Sequence, residues 1–238
     1  MPFWVYVSAQ PLFWLILTLV AYQMCIHVNR VAGGTPLLHP VILTLVLIIS
    51  FLQMTDTDYA TYFSGAQFIH FLLGPATVAL AVPLYDLRRR IRALWKPLLI
   101  ACITGATTAA LTALLIGKVF DLPDPILISL APKSVTSPIA LGIAEKLGGY
   151  PSLAAGLVLI TGAIGCLMAP WLFRWLQIDD DAVKGFTLGL AAHGFGTASA
   201  FSISVIAGAF GGLAMGLTGL LTAFLLPLLL GLMGIHHP

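Results

Sequence analysis

Charge is scarce in this sequence. Of its 238 residues only 8% are Asp, Glu, Lys or Arg, while 59% are apolar and the mean hydropathy is +1.02. Soluble globular chains carry about 25% charged residues. A soluble fold this poor in charge would leave most of its surface aliphatic. Composition therefore excludes an ordinary cytosolic enzyme, a disordered chain and a nucleic-acid binder, and predicts an integral membrane protein. The net charge of +2 is too small to attract acidic partners by itself. Cysteines are few, odd in number and far apart: Cys25, Cys102 and Cys166 all lie inside apolar runs. Neither a disulfide framework nor a metal spacing follows, and buried thiols are expected. Catalytic patterns are missing too. There is no Ser-His-Asp, HExxH or Walker arrangement, and Gly194-x-Gly196 follows no strand. We expect no enzyme activity, no cofactor and no metal.

Long apolar runs are what the sequence does have. About 20 apolar residues cross a bilayer as a helix, and clear runs cover 4–26, 39–54, 65–85, 97–117, 152–173 and 211–235. Two more, 125–145 and 185–207, are richer in Gly, Pro, Ser and Thr. The expected fold is all-α, with about eight membrane segments, some broken or re-entrant. The first run lacks a positive n-region and is too long for a signal h-region, so it reads as a retained span. A single membrane domain over 1–238 is expected, with an internal repeat in halves 1–118 and 119–238. Trp4, Trp14, Tyr59, Tyr62, Tyr85, Trp95, Trp171 and Trp175 lie at run edges, as an interfacial belt requires.

Loop charges give an orientation. Eight full crossings collect Arg30, Arg88, Arg89, Arg90, Arg92, Lys96 and Lys146 on one side. Lys118, Arg174 and Lys184, with Asp121, Asp124 and Asp179 to Asp181, fall on the other. The positive-inside rule then puts the Arg88–Lys96 loop in the cytoplasm and both termini outside, and the arginine run also suits anionic lipid.

Membrane rules are broken at Leu130-Ala131-Pro132-Lys133-Ser134-Val135-Thr136-Ser137-Pro138-Ile139-Ala140. Pro132 and Pro138 each remove a backbone donor, with one lysine and three hydroxyls between them. Non-helical backbone survives at membrane depth only inside protein or beside a water-filled cavity. Such segments form anion sites in secondary transporters, where half-helix N-termini face the substrate. A lysine in the bilayer is costly and therefore faces an interior; the alternative is a solvated loop.

A second polar island is Gly189-Leu190-Ala191-Ala192-His193-Gly194-Phe195-Gly196-Thr197-Ala198. Gly194 and Gly196 permit a helix break or close packing. His193 is either a proton carrier or an imidazole bonded to a neighbouring carbonyl. A third, Gly74-Pro75-Ala76-Thr77-Val78, shares small-Pro-x-[Ser/Thr]-Val with Ala131-Pro132-Lys133-Ser134-Val135, and Pro75 is read as a further break. Gly185 and Gly189, and Gly208, Gly212 and Gly216, are spaced by four, the small-xxx-small pattern of close helix packing.

These segments, together with Phe71 to Tyr85 and Gly148-Gly149, make the chain similar to the LrgB/CidB family over nearly its whole length. The departures are Ser137 where a second Thr is common, Phe195 where an aliphatic residue is common, and Ser199 where an Arg is common. The resemblance implies a multi-pass protein of the bacterial inner membrane. It carries two functional readings. One is a holin/antiholin-like protein modulating murein hydrolase export and autolysis with a small LrgA/CidA-type partner. The other is a carrier of small carboxylates, since the family resembles the membrane domain of the plastidal glycolate/glycerate translocator. The residues favour the carrier: a pyruvate-, glycolate- or glycerate-class monocarboxylate bound by Lys133, Ser134, Thr136, Ser137, His193, Thr197 and Thr77, with proton or sodium coupling. Pro132–Pro138 and Gly189–Thr197 are expected to cross or abut near the midplane. The glycine ladders suggest a homodimer.

Overall fold

The computed structural model describes residues 10–35 and 38–235; the start of the run predicted at 4–26, with Trp4, lies outside them. The described residues form helices and no strands: α1 (Pro11–Val31), α2 (Pro40–Met54), α3 (Tyr59–Phe71), α4 (Leu73–Ala79), α5 (Ala81–Asp86), α6 (Arg88–Ala93), α7 (Trp95–Val119), α8 (Asp124–Leu130), α9 (Ser137–Lys146), α10 (Pro151–Trp175), α11 (Asp181–Ile203) and α12 (Val205–Leu232). Five stretches are long and apolar enough to cross a membrane: α1, the run Tyr59–Asp86, α7, α10 and α12. The protein is thus an α-helical membrane protein. The chain divides into two compact units, Met1–Ala81 and Val82–Pro238.

In the first unit Pro11 opens α1, where its missing N–H costs nothing. Asp58 caps α3, its carboxylate accepting from the Thr61 hydroxyl and amide, which holds its pKa below the usual aspartate value. Trp14 is 0% exposed, edge-on to Phe51 and Tyr62. That corrects its expected place in the interfacial belt: it is a core residue, because Gly65 of α3 leaves no room for a Cβ beside Pro11 and Trp14 and so brings the two helices together. Tyr59, Tyr85, Trp95, Trp171 and Trp175 are exposed, as lipid-headgroup anchors must be. Helix α3 gives way to α4 at Leu72, just before Pro75. The side chain of Thr77 lies outside what is described.

In the second unit α7, α10 and α12 are unbroken rods, and between them lie two hairpins. The first is α8, a turn over 131–136, and α9. Leu147 returns to pack with Leu127, Ile128 and Leu230, and the Tyr150 amide donates to Ser129 Oγ at 2.7 Å, so the chain comes back to where α8 began. At that end the Lys118 ammonium donates to the Met233 carbonyl, 2.5 Å away.

The second hairpin is hidden inside α11. Ala192 (φ −126°, ψ 16°) and His193 (φ 42°, ψ −124°) are not helical. The backbone of Gly185 sits on Ala207 and that of Gly189 on Gly211, so the arm before the break runs parallel to α12. After the break Thr197 meets Met215 while Phe201 meets Gly208, an antiparallel course. The chain therefore reverses at residues 192–193, and Gly196 lets the arms close because a Cβ there would strike the Leu188 carbonyl. Ser204 then caps α12 through the Ala207 amide.

These reversals correct the expected distribution of loop charge. Arg90 Nη2 donates to Asp180 Oδ2 at 2.7 Å, so the arginine-rich helix α6 and Asp179 to Asp181 lie at one end, not at opposite ends. Leu87, Ile91 and Leu94 around α6 pack on Ala182, Phe186 and Phe210, fixing the same end. Lys146 belongs with Lys118 at the other end. The charge count took 125–145 and 185–207 as full crossings; each folds back, as the expectation of broken or re-entrant segments allowed.

Gly189→Leu is expected to destabilise the second unit by about 1–3 kcal/mol or more, because the added Cβ meets the Gly211 carbonyl backbone and nothing flexible can yield. Gly216→Ala, with open space around it inside α12, leaves thermal stability unchanged or slightly raised; a scanning-fluorimetry pair checks both. The double variant Arg90→Cys/Asp180→Cys is expected to crosslink with a short bismaleimide, as read by gel mobility after proteolysis between the two sites.

Candidate functional site

Lys133 stands at the turn of the first hairpin. Pro132, nearly fully buried, removes the amide that would continue α8, and short-range bonds replace the helix: Lys133 N–H to Leu130 O at 3.2 Å and Val135 N–H to Pro132 O at 3.1 Å. Helix α9 restarts at Ser137, with Thr136 in extended geometry at its N-cap and Pro138 in its first turn. Pro138 thus begins a helix and Pro132 ends one. The partly buried Lys133 ammonium donates to the Ala109 carbonyl of α7 at 2.9 Å.

The second hairpin is held the same way. His193 Nε2 lies 2.9 Å from the Val158 carbonyl of α10, so that nitrogen carries the proton. Thr197 Oγ1 donates to the His193 carbonyl at 2.9 Å. The imidazole fits because Gly162 has no side chain: a Cβ there would lie 2.8 Å from His193 Cε1. Gly165 accommodates Ala192 in the same manner.

The first turn and the arm leading to the second break share one open-sided groove of about 630 Å³. Lys133 and Ser134 come from the first hairpin, and Leu190 and Ala191 from the arm leading to the second break. Helix α7 adds Thr104, Gly105 and Thr108, and α10 adds Thr161, Ile164 and Gly165. Leu190 reaches the groove across Gly105, where a Cβ would come within 2.7 Å of it. Lys133 is the one charged residue among the described lining, and the hydroxyls of Ser134, Thr108 and Thr161 make no hydrogen bond among the described residues. The groove offers one cation, several hydroxyls and otherwise apolar wall: a place for a single anionic group.

Of the residues singled out in the sequence, Lys133 and Ser134 line this groove. Thr136 and Ser137 sit on the α9 side of the turn, partly buried, outside the described lining. His193 and Thr197 lie behind it, bonded to backbone, so the carbonyl-bonded alternative for the imidazole is the one observed. Gly194 follows the break directly, and Gly196 closes the arms. Thr104, Thr108 and Thr161 were missed; their signal was hydroxyls on otherwise apolar runs. The three cysteines are buried and unbridged, and the described residues hold no cluster of metal ligands.

A helical membrane protein with two broken hairpins meeting at a cationic groove has known relatives. Residues 18–232 match the LrgB-like family, and the chain belongs to it. It is 34% identical to the uncharacterized protein YxaC of Bacillus subtilis, over 92% of this chain and 94% of that one. It is 28% identical to the holin-like protein CidB of Staphylococcus aureus, over 93% and 96%. Against the antiholin-like protein LrgB of Bacillus cereus identity is 26%, over 94% and 97%. No solved structure matches the chain.

His193→Ala is expected to destabilise the second unit by about 1–3 kcal/mol, since it removes a buried donor and leaves a hole against Gly162. Thermal unfolding of the purified chain measures this. His193→Gln, whose amide can donate in place of the ring, recovers part of the loss.

Proposed function

We propose that the protein is a secondary carrier of small monocarboxylates, of the pyruvate, glycolate or glycerate class, across the bacterial inner membrane. The observation that carries this reading is Lys133, placed at a helical turn inside an otherwise uncharged groove. An ammonium in that setting is a point charge with three donors, one of them occupied by Ala109. A carboxylate entering the groove would take the other two and bond the hydroxyls of Ser134, Thr108 and Thr161. Thr136 and Ser137 shape the turn that presents them. His193 and Thr197 are positioning residues that hold the second tip.

The chain path supports a transporter scheme of eight membrane segments, two of them re-entrant. In the second unit α7 with the α8–α9 hairpin, and α10 with the α11 hairpin, repeat the order rod then hairpin, entering from opposite ends. This is the arrangement of an inverted repeat. On this reading the repeated unit spans 95–203; the expected halves 1–118 and 119–238 are a separate proposal. The sidedness that follows gathers Arg88, Arg89, Arg90, Arg92, Lys96, Arg174 and Lys184 at one end, and Lys118 and Lys146 at the other. This bias supports a cytoplasmic Arg88–Lys96 segment.

The names of the CidB and LrgB relatives favour a second reading: a holin- or antiholin-like protein acting on autolysis with an LrgA/CidA-type partner. A carrier gives saturable uptake by the protein alone, whereas a holin-like pore gives non-saturable leakage or needs the partner.

Uptake of labelled pyruvate, glycolate and glycerate into proteoliposomes separates the two. We expect saturable uptake by the wild type and at least a tenfold loss in Lys133→Ala, with insertion checked by protease protection. Saturable uptake that survives Lys133→Ala would remove Lys133 from the site. Leakage without saturation, or activity only beside the small partner, would favour the second reading.

A further inference from the structure

The groove is far larger than the acids just named. Its 630 Å³ lies within the ~300–1,000 Å³ range of clefts that bury drug-sized ligands. At about 30 Å³ per water it holds roughly twenty waters, of which a six-atom acid displaces only a few. The described lining has its cation at one point, Lys133, and includes no acidic residue. Away from Lys133 the wall includes Ile164, Leu190 and Ala191. A two- or three-carbon acid paired with Lys133 would leave most of this aliphatic wall unoccupied.

We propose that the groove takes monocarboxylates with an aliphatic tail of about four to six carbons, the carboxylate on Lys133 and the tail along Leu190, Ala191 and Ile164. This rests on the carboxylate reading above and extends it to longer acids than the two- and three-carbon class named there. The charge balance sets the head group: one ammonium and no second cation suit one carboxylate, not two. The hydroxyls of Thr108, Thr161 and Ser134 stand within the same groove as Lys133, and they accommodate a 2-oxo or 2-hydroxy oxygen beside the carboxylate. Burying one methylene in place of water is worth about a three- to fourfold gain in affinity, so tail length is the variable that reports on the wall.

The test is isothermal titration of the purified chain with acetate, butyrate and hexanoate at fixed pH, beside hexanamide, Lys133→Ala and Ala191→Leu. The expected result is a tightening of about threefold per methylene from butyrate to hexanoate. Hexanamide does not bind, Lys133→Ala abolishes the series, and Ala191→Leu, which fills the wall, moves the optimum to shorter chains. Equal dissociation constants across the series overturn the proposal, and so does hexanoate binding that Lys133→Ala leaves unchanged, since that marks partition into the micelle. Pyruvate titration in the same buffer separates the two claims. Lys133-dependent pyruvate binding with a flat chain-length series overturns the tail site and leaves the carrier reading standing. A steep, Lys133-dependent series in a protein that moves no acid in proteoliposomes supports the tail site and ends the carrier reading.

Discussion

A helix that stops inside an apolar slab exposes amides and carbonyls that water cannot satisfy, and the second unit does this twice. Each interruption is closed by a side chain reaching a carbonyl of the preceding rod: Lys133 to Ala109 O of α7 and His193 to Val158 O of α10. The rods can receive them because they carry small residues there. Gly105 admits Leu190, Gly162 admits the imidazole and Gly165 admits Ala192. Most of the packing around the groove serves to bring two interrupted segments to one depth, where unpaired backbone is tolerated only if protein surrounds it.

The two anchors are alike in form and different in consequence. His193 is 4% exposed, its ring is boxed by Gly162 and Phe195, and its bond has little to compete with. Lys133 reaches its carbonyl from a groove wall, with two further donors toward open space. One tip is fastened and the other is available. Pro132 and Pro138 leave few helical bonds across 131–136, so the turn that carries Lys133 rests on short-range bonds and on the Ala109 carbonyl.

Much of this was legible in the sequence because it rests on chemistry that apolar surroundings make conspicuous. Pro132, Lys133 and Pro138 together cannot be a plain lipid-facing helix, and the break stands where they are. The second break was flagged by Gly194 and Gly196, though the non-helical residues are Ala192 and His193 just before them. What the sequence did not disclose was direction. Apolar length says that a segment enters the bilayer, not whether it leaves on the far side. The fold-back of 181–203 depends on Gly185 and Gly189 meeting Ala207 and Gly211, a long-range fact that a small-xxx-small spacing announces only as closeness. Thr108 and Thr161 were hidden for a similar reason: a threonine on a helix usually bonds its own backbone, and only the packing of α7 and α10 around the turns gives these hydroxyls a common groove.

Direction in turn decides the electrostatics. With both hairpins folded back, Asp180 comes to the arginine end, where it does two things at once. Its carboxylate caps the first arm of the second hairpin through the Ala182 and Val183 amides and pairs with Arg90. Acidic residues at a helix N-terminus are favourable in themselves, so the aspartates of 179–181 need no opposite membrane face to explain them. The first hairpin leaves Lys146 at the end marked by Lys118. Two reversals cancel in their effect on the chain's final side, so α12 still finishes at the end marked by Lys118 and Met233. A hairpin returns its charges to the side from which it entered, so the arginine-rich helix and the Lys118–Met233 contact still mark opposite ends of the second unit.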